Sequence, residues 1–144
     1  MLKNIILTDD AKTTIIIRLM VGAVFLSEGI QKFLFANTLG TGRFAKIGLP
    51  VPGFLGPFVG SFEIVCGILV LMGLFTRLAA IPLFTIISVA IITTKAQLLT
   101  ANGFWSMLHD SRTDLAMFLG TIFLIIKGGG RWSVDRKIMN QKWK

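Results

Sequence analysis

Apolar residues fall into four long blocks along the chain, separated by stretches rich in glycine, proline or charge. The first block runs from Thr13 to Phe35, TTIIIRLMVGAVFLSEGIQKFLF. About 20 residues at 1.5 Å rise span about 30 Å of hydrocarbon, so this block predicts a membrane-crossing helix over 13–35. The second predicts a helix over 54–75 and the third, free of charge from Leu78 to Thr94, a helix over 78–95. Pro82 near the start of the third is tolerated in a membrane helix. The fourth predicts a helix over 110–127; its charge-free part, Leu115 to Ile126, is short for a span. That helix must therefore begin at or before Arg112 and draw Asp114 toward membrane depth. Gly128 to Gly130 end it, and Ser133 reads as the N-cap of a short basic amphipathic tail helix over 133–143. The fold class is all-α: one domain over 1–144, a membrane-spanning four-helix bundle.

Position on each helix adds a second pattern. At about 100° per residue, Arg18, Gly22, Phe25, Glu28, Gly29 and Lys32 share an arc of about 120°. In the second block Gly56, Gly60 and Gly67 share a face with Glu63. Glycines let a neighbouring backbone approach, and charge at membrane depth must face protein. The first two helices are therefore expected to pack through these faces.

The connections differ in kind. Asn37 to Gly53 is glycine- and proline-rich and sets a loop, whose Phe44, Leu49 and Val51 should rest on the mouth of the bundle. Thr100 to Ser111 reads as a polar, aromatic loop, with Phe104 and Trp105 at headgroup level. Residues 1–12 form a lead-in whose apolar patch, Ile5 to Leu7, suits the headgroup region. Four spans put both termini on one side. The lead-in, the turn at Arg77 and the tail hold most of the lysine and arginine, so that side is cytoplasmic.

Composition agrees with the pattern. Only 15% of residues are charged and 53% are hydrophobic, with a mean hydropathy of +0.76; a soluble domain carries about 25% charged residues. The expected location is the bacterial inner membrane, with the lipid bilayer as the first partner. The net charge of +8 gathers beside a spanning segment, where it meets anionic headgroups. Without an aromatic-basic motif it does not point to nucleic acid. The first block is too long and too charged for a cleaved signal peptide and lacks an A-x-A site. The single cysteine, Cys66, reads as a small buried apolar side chain.

The candidate ligand-binding residues are Glu28, Lys32, Glu63, His109, Arg112 and Asp114, which gather in the outer half of the bundle. Glu28 and Lys32 have the i, i+4 order of an ion pair, structural or functional. Glu63 has no local cation, so it is protonated or paired across helices. His109 is a solvated loop residue, a proton relay or a hydrogen-bond partner for a ligand carbonyl. Arg112 and Asp114 either anchor the fourth helix or serve a ligand. Arg18 and Arg77 are expected to snorkel to headgroups. No phosphate loop, metal spacing, nucleophile-base pair or haem attachment sequence is present.

Four segments carry a family resemblance: R-L-x-x-G-x-x-F-L-x-x-G-x-x-K-F (Arg18 to Phe33), G-S-F-E-I-V-C-G-I-L-V-L-M-G-L-F-T-R (Gly60 to Arg77), R-x-D-L (Arg112 to Leu115) and G-G-R-W-S-V-D (Gly129 to Asp135). In order and spacing they resemble the DoxX family of small bacterial membrane proteins. The resemblance implies a four-helix membrane bundle and an association with redox, sulfur or oxidative-stress chemistry. It suggests a subunit that binds quinone and supports an oxidoreductase partner, without being an enzyme on its own. Phe25, Phe62 and Met117 would line an apolar cleft for the quinone tail. The competing expectations are a non-enzymatic scaffold, bound to another membrane protein or to further copies of itself, and a small-solute transporter.

Overall fold

The computed structural model describes residues 6–142; residues 1–5, with Ile5 of the expected apolar patch, and residues 143–144, with the last residue of the expected tail, lie outside the described residues. Among the described residues all regular structure is helical: α1 (Thr14–Leu34), α2 (Thr41–Lys46), α3 (Pro52–Met72), α4 (Thr76–Asp110), α5 (Arg112–Lys127) and α6 (Val134–Lys142). Three of them, α1, α3 and α4, are long and apolar enough to cross a membrane. With 16 residues, α5 is about 24 Å long, short of the hydrocarbon thickness.

Local chemistry fixes the ends. Pro52 opens α3, where its missing N–H costs nothing. Gly73 closes it at φ 69°, and the Leu74 N–H donates back to Leu69 O at 2.9 Å. Two boundaries depart from expectation. The helix α4 does not stop at Lys95. The next seven residues contain no glycine or proline, and the Thr100 hydroxyl bonds to carbonyls of its own helix, so the helix continues. It breaks at Gly103 (φ 81°, ψ 172°) and is helical again to Asp110. The glycine-rich loop also contains a helix, α2, whose Phe44 is buried.

The glycine faces meet as their positions require. A methyl group on Gly29 would stand 2.8 Å from Gly60 O, and one on Gly67 3.1 Å from Gly22 O. Helices α1 and α3 thus touch backbone to backbone. Phe25, Val70, Leu83, Met117 and Leu124 are buried at the centre. Outward, Ile16, Val65, Ile92, Leu119 and Ile126 are each more than half exposed, which suits contact with acyl chains and not with water.

One end of the molecule is tied by Arg18, and here the snorkelling expectation fails. Arg18 is only 3% exposed. Its guanidinium donates to Val70 O (2.9 Å) and Leu71 O (2.5 Å) in the last turn of α3, and to Gly129 O (3.1 Å) and Trp132 O (2.6 Å) after α5. The end carbonyls of a helix lack intrahelical donors, and a cation suits that negative dipole end. Beside it Asp135 accepts from Phe75 N (2.7 Å), Thr76 N (2.9 Å) and the Thr76 hydroxyl (2.9 Å), capping α4 from the tail. Ser133 is the expected N-cap of α6, accepting from Arg136 N at 3.1 Å. The lead-in closes over the end of α5: Asp9 N–H donates to Lys127 O at 2.9 Å. Its carboxylate meets the Lys127 ammonium at 2.9 Å, which holds the Asp9 carboxyl below its ordinary pKa.

Candidate functional site

At the opposite end, α1, α3, α4 and α5 enclose a cavity of about 530 Å³, and the segment carrying α2 also contributes to its wall. Helix packing accounts for its position. The glycine contacts draw α1 against α3, and the loop laid across them supplies Leu39, Arg43, Phe44 and Leu49 to the wall. Phe25, Phe58, Val59, Ile86, Val89 and Met117 make most of it apolar. The charged groups lining it are Glu28, Lys32, Arg43, Glu63 and Asp114.

The central feature is Lys32. Its ammonium lies 2.7 Å from Glu63 Oε2 and 3.9 Å from the Glu28 carboxylate. Exposure rises along this row: the side chains of Glu63, Lys32 and Glu28 are 4%, 10% and 47% exposed. The expected i, i+4 pair is therefore the weaker of the two contacts. Glu63 takes the lysine because a buried carboxylate without a counter-ion has no water to replace it, whereas Glu28 does. Glu63 is paired across helices, one of the two states open to it from sequence.

The other candidates separate. Asp114 lines the cavity, and its carboxylate lies 2.9 Å from Lys95, which also donates to Asp110 O at 2.9 Å. Arg112 and His109 are exposed and do not line the cavity; Arg112 Nε donates to His109 O at 2.7 Å. Phe62 is not in the cleft. It stands on the outer face of α3 in a ladder with Phe58 and Phe54 (centroids 4.9 and 5.3 Å apart). Sequence reasoning missed Arg43 and Lys95. For Arg43 the signal was its place beside Phe44 in a loop expected to cover the mouth. For Lys95 it was a lysine ending an apolar run within reach of the acidic start of α5.

In chemical terms the cavity offers ammonium and guanidinium donors, carboxylate acceptors, and hydroxyl oxygens. Thr85, Thr93 and Thr94 each donate to a carbonyl of their own helix. Their oxygens thus keep lone pairs to accept a further bond. This inventory suits a mostly apolar molecule with a few polar atoms.

Comparison with known proteins places the chain among membrane proteins. The DoxX family model matches residues 13–96. The uncharacterized membrane protein Rv3486 of Mycobacterium tuberculosis is 52% identical over 136 residues, covering 90% of this chain and 83% of its own length. The inner membrane protein YqjF of Escherichia coli is 29% identical, covering 90% and 93%. The Bacillus subtilis protein named "Putative oxidoreductase CatD" is 27% identical, covering 90% and 89%. No solved structure matches the chain.

Proposed function

The chain belongs to the DoxX family of membrane proteins, and from that premise we propose a membrane subunit that holds a quinone or similar redox amphiphile for an oxidoreductase partner. The observation that carries this reading is the cavity: about 530 Å³, apolar on most sides, with the Lys32–Glu63 pair and Arg43 in its wall. A relative named as an oxidoreductase supports it. The lining fits a quinone, because its ring carbonyls accept hydrogen bonds and its chain is apolar. Lys32 and Arg43 would supply donors, and Phe25, Phe58 and Met117 would flank the apolar part. A quinone would supply a two-electron, two-proton redox couple. The protein's own part is to bind, orient and exchange protons. After purification in mild detergent, solvent extraction and chromatography should recover a quinone in near-equal amount to protein. A quinone-free preparation with a co-purifying protein would instead favour the scaffold reading, which the neutralised pairs Lys32–Glu63 and Lys95–Asp114 also suit.

The proposal includes a topology. All of 1–144 is one domain of the inner membrane, with α5 as a fourth, short span completing a four-helix bundle and both termini cytoplasmic. Lys12, Arg77, Lys127, Arg131 and Arg136 lie in the connections and helix ends at the tied end of the molecule, where the positive-inside rule puts the cytoplasm. Phosphatase fused at Gly42 or Asn102 should be active, and a fluorescent protein fused at the C-terminus should glow. Active phosphatase at the C-terminus would reverse the orientation.

A further inference from the structure

We propose that Glu28, Lys32 and Glu63 form a proton-exchange path between the cavity and the water at its mouth. The geometry is a single row. Lys32 sits between two carboxylates, 2.7 Å from the buried one and 3.9 Å from the half-exposed one. The three residues lie on two helices whose glycine contacts fix their separation, so the row does not depend on a mobile loop. The groups facing it across the cavity are Arg43 from the loop helix, Asp114 from α5, and the hydroxyls of Thr93 and Thr94 from α4. Asp114 is held by Lys95, and the threonine hydroxyls donate to their own helix. Among the described residues lining the cavity, Glu28 is thus the carboxylate with both water access and reach to Lys32.

The transfer balances in three steps. The Lys32 ammonium gives a proton to the Glu63 carboxylate, leaving a neutral amine and a neutral acid. Across the 3.9 Å gap, longer than a hydrogen bond, one water relays a proton from a protonated Glu28 carboxyl to the amine. Glu28, now a carboxylate, is reprotonated by hydronium at the mouth. The sum moves one proton from water to Glu63 and leaves Lys32 and Glu28 as they began. A positioned acid or base within hydrogen-bond reach, or one water away, speeds proton transfer by about 10²–10⁴-fold. The physiological use of the path rests on the proposed redox ligand, whose reduction consumes protons, but the path itself stands on the geometry.

The test uses the purified full chain in lipid nanodiscs with no quinone added. A rapid drop in pH is followed by time-resolved infrared spectroscopy of the carbonyl stretch of protonated carboxyls. Glu63→Gln assigns the Glu63 band by removing it. Glu28→Gln, at a half-exposed position, should leave the helical circular dichroism unchanged while slowing the rise of the Glu63 band about a hundredfold. Glu28→Asp should restore part of the rate. An unchanged rate in Glu28→Gln, or a Glu63 band that never appears across the accessible pH range, would overturn the path. Quinone extraction is a separate measurement, so loss of the ligand reading and loss of the path are told apart.

Discussion

Arg18→Leu should be the most damaging single substitution in the protein, lowering stability in mild detergent by about 3–5 kcal/mol, the cost of stranding buried polar groups that lose a charged partner. The isostere-like leucine keeps most of the volume and the helix propensity, so neither packing nor local structure explains the loss. What goes is a planar fork that satisfies four carbonyl oxygens from two segments far apart in sequence. The Asp135 carboxylate also loses the nearby positive charge. Arg18→Lys should recover little, because a single ammonium cannot reach the four acceptors in the guanidinium's arrangement. Thermal unfolding followed by size-exclusion chromatography measures this. If Arg18→Leu melted with the parent, the residue would be a headgroup ligand, as its sequence position suggests.

Arg18 also marks where sequence reading runs out. The arc of Arg18, Glu28 and Lys32 was legible because helical angle is arithmetic, and so was the packing of Gly29 on Gly60. The fate of each charge was not. An arginine five residues into a spanning helix has the same local sequence whether it reaches to lipid or inward. The choice is made by the G-G-R-W-S-V-D segment more than a hundred residues later, which returns carbonyls to its guanidinium. The same segment supplies the Asp135 that caps α4, so these contacts serve the fold. The continuation of α4 past Lys95 was hidden for another reason. Threonine, serine and glycine between 100 and 111 resemble a loop in composition, yet before the helix ends at Asp110 only Gly103 leaves helical geometry. The cavity itself depends on how the loop helix α2 lies over α1 and α3, a tertiary fact with no periodic signal. Arg43 was therefore missed, while Glu63, flanked by glycines, was found.

The second large effect is expected at Lys32, where the structure and the simplest sequence rule disagree about its partner. If the i, i+4 pair dominates, Glu28 and Lys32 are coupled and Glu63 is a bystander. If the 2.7 Å contact dominates, Lys32→Met should cost about 3–5 kcal/mol by leaving the buried Glu63 carboxylate unpaired. Glu63→Gln should cost less, since an amide oxygen still accepts from the ammonium. The double variant Lys32→Met/Glu63→Gln should be more stable than Lys32→Met alone, giving a coupling of about 2–3 kcal/mol for this contacting pair. Glu28→Gln should cost less than about 1 kcal/mol, as exposed pairs do, and should couple only weakly to Lys32. Thermal or denaturant unfolding of the four proteins in each cycle decides the matter. A Glu28–Lys32 coupling equal to or larger than the Lys32–Glu63 coupling would reassign the lysine to its own helix. It would also leave Glu63 without the cation that makes it a polar anchor for any ligand in the cavity.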